Sequence, residues 1–309
     1  MKISIIIVNY NTAKYLESCI KSVVYFENKY DLEFIVVDNK SEDNSEDIIN
    51  KLISEYKNVK CVFLDSNKGF AYANNRGVEI SDGDYVLILN PDIVFTECVF
   101  EKLIALHQAR KPGVLGVKLF GEDNLFQHNY YQKYPFILQY ILFYSIFSKP
   151  FIKSGYYLNK FLYNKINTTG DEVISVPQIP GAFMFFKSEI YREYNGFNEN
   201  YFLFFEDVDL CFRINKKHEL LIADLKVLHT GASSMFLNID NKIYGNFIIS
   251  FLKFFKFNYN LFDYYFLKIF ILENCILKIM LEYIRKILGK FNPGIIRVHK
   301  YILKNLNSG

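Results

Sequence analysis

Four short polar clusters sit directly behind apolar runs: Asn9-Tyr10-Asn11, Asp38-Asn39, Asp65 to Gly69, and Asn90-Pro91-Asp92. In open α/β sheets ligands bind in the crevice outside the carboxyl ends of the strands, so amides and carboxylates gathered there read as one binding site. Taken singly, each cluster is also an ordinary cap or turn; four in succession favour the site. Two further features could carry chemistry: the acid pair Glu206-Asp207 at the head of a helical pattern, and His229 shortly after a late apolar run. Acids at a helix start complement its dipole, and a single histidine has structural as well as ligating uses. No G-x-G-x-x-G follows the first run and no G-x-x-x-x-G-K-[ST] occurs anywhere. Dinucleotide redox chemistry and P-loop hydrolysis therefore lose their signatures.

The elements that must hold these clusters follow from hydrophobic periodicity. Ile3–Val8 is continuously apolar, as expected of a parallel strand covered on both faces. Thr12 is placed to cap a helix in which Leu16, Ile20 and Val23 share a face. Glu33–Val37 is a second strand, Ser45 a cap for a helix bearing Ile48, Ile49, Leu52 and Ile53, and Val59–Leu64 a third strand. A helix over about Ala71–Ile80 and a strand at Tyr85–Leu89 complete a β-α-β-α-β-α-β order. That order implies an α/β protein with a mostly parallel sheet. Val114–Leu119 reads as another strand, and residues 121–175 are aromatic without clean periodicity, like an inserted lid or membrane-facing element. Regular signals return with a strand over Pro180–Phe186, a helix from about Asp207 pairing Asp209 with Arg213 at i, i+4, and a strand at Leu220–Ala223.

Composition narrows the class. With 309 residues, 51% hydrophobic and 22% charged, the chain can bury a full core, which excludes wholesale disorder. Five scattered cysteines without a C-x-x-C pair argue against a disulfide frame or a zinc site and fit a reducing, cytoplasmic setting. The net charge of +3 hides an asymmetry, because from Lys242 onward eleven Lys/Arg face three acids. This tail is rich in Phe, Tyr, Ile and Leu, unlike a nucleic-acid arm, so no nucleic-acid partner is expected and an anionic membrane surface fits better. The alternative is a helical pair packed on the rest of the chain, with a second copy as partner in a homodimer. The N-terminus lacks the pattern of a signal peptide. The longest charge-free apolar stretch, Tyr134–Ser148, falls short of the ~20 residues of a spanning helix.

Six motifs in order then carry a resemblance: SIIIVNYN, FIVVDNKSEDNS, NKGFAYANNRG, LILNPDIV, PGAFMFFKSEIYREYNGFNENYFLFFEDVDLCFRI and HTGASS. Over about residues 2–235 the sequence resembles the glycosyltransferase family 2 enzymes of GT-A fold, particularly the rhamnosyltransferase-like branch that builds bacterial surface polysaccharides. The resemblance implies a catalytic domain at 1–238, made of a nucleotide-binding half at 1–120, the insert at 121–175 and an acceptor half at 176–238, followed by a helical, membrane-associating tail at 239–309. It implies an inverting, non-processive transfer of one sugar from a nucleotide-sugar donor, of dTDP-rhamnose or UDP-hexose type, to a polyprenyl-diphosphate-linked saccharide at the inner face of the membrane. Processive relatives carry Q-x-x-R-W, and this chain has no Trp.

Residue by residue, the resemblance makes Asp92 the carboxylate of the D-x-D element and a ligand of Mg²⁺ or Mn²⁺, with His229 a further ligand. Asn90 stands where that element has its first Asp. Glu206-Asp207 matches the family's E-D pair, with Asp207 at the position of the catalytic base; a helix start would lower its pKa. Asp38 matches the residue that reads the pyrimidine edge. Asn9, Tyr10 and Asn11 would line base and ribose, and Asn67, Gly69, Asn75 and Arg76 the nucleotide and its phosphates, although Arg76 could instead pair with a surface acid. Gly181 and Ala182 resemble small residues that admit acceptor or sugar, while Asn195 and Asn198 stand where the family often has Gly and Asp. His107, His128, His218 and His299 match nothing. Two other functions stay open: a non-catalytic membrane-bound scaffold, and sugar nucleotidyl transfer, whose Gly-rich basic loop after the first strand is absent.

Overall fold

The computed structural model describes residues 1–148, 173–230 and 242–307. They fall into two compact units, the first holding residues 1–132, 173–199 and 206–230 and the second 133–148, 200–205 and 242–307. The boundary expected at 238, and the part of the insert from 149 to 172, lie outside the described residues.

The first unit is built on one mixed sheet. Its elements are β1 (Lys2–Asn9), α1 (Ala13–Phe26), β2 (Asp31–Asp38), α2 (Ser45–Glu55), β3 (Val59–Phe63), α3 (Phe70–Glu79), β4 (Tyr85–Leu89), β5 (Ile93–Phe95), α4 (Phe100–Arg110), β6 (Val114–Phe120), β7 (Ile174–Ser175), β8 (Phe183–Lys187), α6 (Ser188–Glu193), α7 (Glu206–Ile214) and β9 (Leu220–His229). The strand order is β3-β2-β1-β4-β8-β6-β9-β5, with β7 on β9. The β3-β2-β1-β4 part is parallel throughout. Beyond it β8 runs antiparallel to β4 and β6, β6 and β9 are parallel, and β5 is antiparallel to β9. Helices cover both faces of the parallel part, so β1, β2 and β4 read as apolar runs rather than alternations.

The helices dock as their spacing dictates: α1 buries Leu16, Cys19, Ile20 and Val23. Gly77 lets α3 approach the sheet, because a β-carbon there would lie 2.4 Å from Ile6 Cγ2 and 3.1 Å from Val37 Cγ2. Two expected caps differ. The Thr12 hydroxyl does not cap α1 but donates to Asn9 Oδ1 at 2.6 Å, and Ser45 is itself the first residue of α2, its amide donating to Asp43 Oδ1 at 3.1 Å. In each place a neighbouring side chain, Asn9 or Asp43, takes the polar group. Strand β9 runs six residues past the expected Ala223, so His229 ends a strand instead of following it.

The second unit packs α5 (Ile137–Phe143) and the helices α8 (Lys242–Asn258), α9 (Leu261–Ile287) and α10 (Pro293–Asn305) around an aromatic core that includes Tyr140, Phe251, Phe254 and Phe255. Buried Asn274 is satisfied by accepting from the Ile146 amide at 2.9 Å and donating to Tyr140 Oη at 3.0 Å. Asn260 caps α9 and Asn292 caps α10. Among the described residues no helix is long and apolar enough to cross a membrane.

Candidate active site

The topology reverses direction between β1 and β4, and Asn9 and Asn90 stand at the carboxyl ends of those two strands. That reversal is where open α/β sheets open a crevice. Asn9 is fully buried and ties the first clusters together, donating to Asp38 Oδ1 at 2.8 Å and to Ser41 Oγ at 3.0 Å. Asp38 Oδ2 accepts from the Ser41 amide at 3.0 Å, and each carboxylate oxygen retains a further lone pair. Asn11, at positive φ of 55°, accepts from the Glu42 amide at 2.7 Å, and Tyr10 between these two asparagines is 44% exposed with its ring open to a ligand.

The third cluster is held from the second. Asn39 donates to Asn67 Oδ1 at 3.0 Å and to the Gly69 carbonyl at 3.2 Å, and accepts from the Lys68 amide at 2.9 Å. Gly69 sits at φ 91°, a conformation favouring glycine, where the loop turns into α3. Asn75 and Arg76 are engaged elsewhere. Asn75 bonds to Tyr191 Oη, both backbone groups of Phe197 and Glu199 Oε1, and Arg76 pairs with Glu79 at 2.6 Å and Glu199 at 2.9 Å. Both residues act as struts for segment 191–199, and the surface-acid pairing of Arg76 is the arrangement present.

The fourth cluster meets the end of β9. Ile93 pairs with His229, and Thr230 donates its amide to the Asp92 carbonyl at 2.9 Å. This brings Asp92 Oδ1 to 3.5 Å from His229 Nε2 across 137 residues of chain. Asp92 Oδ1 is buried and has no hydrogen-bond partner. His229 is itself buried, with the Tyr130 ring edge-on at 5.0 Å and Gln127 Oε1 at 2.8 Å from Nδ1. An orphaned carboxylate oxygen beside an imidazole nitrogen fits a divalent cation, which takes oxygen and imidazole ligands. Among the described residues no third His, Cys, Asp or Glu joins them. A cation held here would share its remaining positions with solvent or with substrate phosphate.

Asp207 is linked to the same strand end through residues 181 and 182. The Asn90 amide donates to the Ala182 carbonyl at 3.0 Å, and the Gly181 amide donates to Asp207 Oδ2 at 2.7 Å. Asp207 Oδ1 accepts from the Val208 amide at 2.8 Å. A β-carbon on Gly181 would lie 3.3 Å from Asp207, so the small residue permits the approach. Desolvation raises the Asp207 pKa, with the Gly181 and Val208 hydrogen bonds opposing it. The lowering expected from the helix start is outweighed, since loss of water disfavours the charge more than the helix amides favour it. Neighbouring Glu206 is buried. Phe204 and Phe205, at φ 67° and 69°, turn the chain sharply just before it, a conformation that costs on the order of 1–3 kcal/mol for each non-glycine residue.

Residues 4–188 match the family described as Glycosyl transferase family 2. The chain belongs to that family. Among similar proteins, rhamnosyltransferase WbbL of Escherichia coli K12 is 25% identical over 219 residues, 68% of this chain and 76% of that protein. Glycosyltransferase GlyG of Streptococcus pneumoniae serotype 4 is 29% identical over 121 residues, and the match spans only 40% of its length. Among solved structures, GalNAc-T7 with UDP, GalNAc and Mn²⁺ superposes with a TM-score of 0.59 at 14% identity, over 81% of this chain and 47% of that one. S. aureus TarS 1–349 in complex with UDP gives 0.53 at 16% identity, over 91% and 71%. The fold is thus the GT-A type expected of family 2. Asn39 and Gln127 were not singled out by sequence reasoning. The first stood inside a recognised cluster, whereas the second carried no signal, lying in an aperiodic stretch 102 residues from its partner.

Proposed function

We propose that this protein transfers a single sugar, with inversion, from a nucleotide donor of dTDP-rhamnose or UDP-hexose type to a polyprenyl-diphosphate-linked saccharide in surface polysaccharide synthesis. The observation that carries the reading is the approach of Asp92 Oδ1 to His229 Nε2 just past the end of β4, with Asp207 tied by Gly181 to the segment whose Ala182 carbonyl accepts from Asn90. Asp38 accepts from the pyrimidine ring N–H, Tyr10 packs on the base, and Asn9, Asn11, Asn67, Gly69 and Asn90 shape the nucleotide pocket. Asp92 and His229 hold Mg²⁺ or Mn²⁺, which when bound offsets charge on the departing diphosphate. Asp207 accepts the proton of the attacking acceptor hydroxyl as the new glycosidic bond forms on the face opposite the leaving nucleoside diphosphate. Its raised pKa makes it a stronger base once ionised. Glu206, buried beside it, is the first residue of the same helix.

The second unit supports a location at the inner membrane surface. While Tyr264, Leu267, Ile271 and Cys275 of α9 are buried, Phe262, Phe266, Ile269, Ile276, Met280 and Ile287 are exposed. Their spacing forms one apolar stripe along the helix, and exposed Arg285, Lys286 and Lys290 follow at its end. An apolar stripe flanked by cations suits the interface of an anionic bilayer, each basic residue near the surface adding about 1 kcal/mol.

The test is nucleoside diphosphate release from a panel of dTDP- and UDP-sugars with Mn²⁺ and a lipid-linked saccharide acceptor. Turnover of one donor with the acceptor incorporated supports the proposal; no turnover on any donor favours a non-catalytic scaffold.

A further inference from the structure

We infer that Gln127 is a positioning residue that fixes His229 as its Nδ1–H tautomer, so that an unprotonated Nε2 faces Asp92. The inference rests on the reading of Asp92 and His229 as cation ligands and adds the group that makes His229 competent for it.

The Gln127 amide makes two bonds to one residue. Its Nε2 donates to the His229 backbone carbonyl at 3.1 Å, and its Oε1 lies 2.8 Å from His229 Nδ1. A backbone carbonyl only accepts, so rotating the amide by half a turn would set oxygen against oxygen. The carbonyl therefore fixes the amide, and the amide fixes the ring: Nδ1 must donate to Oε1 and carry the proton. In a neutral imidazole the other nitrogen then holds a lone pair. That lone pair points towards the buried, unpartnered Asp92 Oδ1 at 3.5 Å. Two acceptors meeting without a proton between them are repulsive alone and complementary around a cation.

The surroundings leave the ring little freedom. Gln127 is anchored by its own amide to the Leu119 carbonyl of β6 at 3.0 Å, and His229 by its place in β9 and by the Tyr130 ring at 5.0 Å. Ligating histidines commonly donate their second N–H to an oxygen, and removing that oxygen typically weakens metal binding 10–100-fold.

The experiment uses the full chain with ¹⁵N-labelled histidine, His229→Gln assigning the signal. Without metal, wild type should show the Nδ1–H pattern, and Gln127→Met should lose it. Mn²⁺ titration by electron paramagnetic resonance with UDP present should give a Kd about 10–100-fold weaker for Gln127→Met. A wild-type Nε2–H tautomer, a doubly protonated ring, or an unchanged tautomer in Gln127→Met overturns the inference. The Nδ1–H tautomer with no Mn²⁺ affinity in wild type sinks the cation reading instead and leaves the hold of Gln127 on the ring standing.

Discussion

Asp92 Oδ1 and His229 Nε2 lie 3.5 Å apart, brought together because β5 pairs antiparallel with the end of β9. Two residues of one cation site should be coupled. Asp92→Asn and His229→Gln should each weaken Mn²⁺ binding measured by calorimetry with UDP, and the double variant should lose less than the sum, with a coupling of roughly 1–3 kcal/mol. Strict additivity would separate the two residues functionally.

The raised pKa of Asp207 gives a signed pH dependence. A general base must be ionised, so kcat should fall as pH drops through its pKa, and the acid limb should lie above the ordinary aspartate value of about 3.9. A kcat profile on saturating donor and acceptor checks this; an acid limb at or below that value would contradict the burial argument.

His299, buried in the second unit with Nδ1 donating to the Ile295 carbonyl at 2.7 Å, has its pKa lowered to about 4 from 6.5, chiefly by desolvation. Below the ordinary value the unfolded chain takes up the proton first, so stability falls as pH drops from about 6.5 towards 4. The group should cost about 2 kcal/mol between pH 7 and pH 5. Urea unfolding at the two pH values should show that loss in wild type and a correspondingly smaller one in His299→Leu.

Much of this protein was legible in its sequence, for identifiable reasons. Strands β1, β2 and β4 are buried on both faces, so they read as apolar runs, and the polar clusters behind the first four strands marked the crevice. What escaped depends on partners far along the chain. Strand β5 has three residues, too few for any period. Gln127 and Asn75 have side-chain types that fit loops and helices equally well, and only their partners at 229 and at 191–199 define their work. The pKa of Asp207 was read in the wrong direction because local sequence reports the helix start but not the packing that strips water from the carboxyl. Residues 133–148 and 200–205 join the tail's unit through aromatic packing that has no periodic signature.

The exposed stripe of α9 makes a surface prediction. Replacing Phe262, Ile269, Ile276 and Met280 by serine removes apolar area without touching the buried stripe. Flotation with vesicles containing anionic lipid should then fall several-fold while circular dichroism is unchanged. Equal flotation would remove the membrane assignment, and a shift from dimer to monomer in sedimentation would assign the stripe to a second copy instead.

The most direct test of the whole account is kcat for sugar transfer by Asp207→Asn beside wild type, with donor affinity measured in parallel. The account predicts a fall of about 10²–10⁴-fold in kcat with donor binding retained, because the amide keeps the shape but cannot take the proton. Equal rates would contradict it.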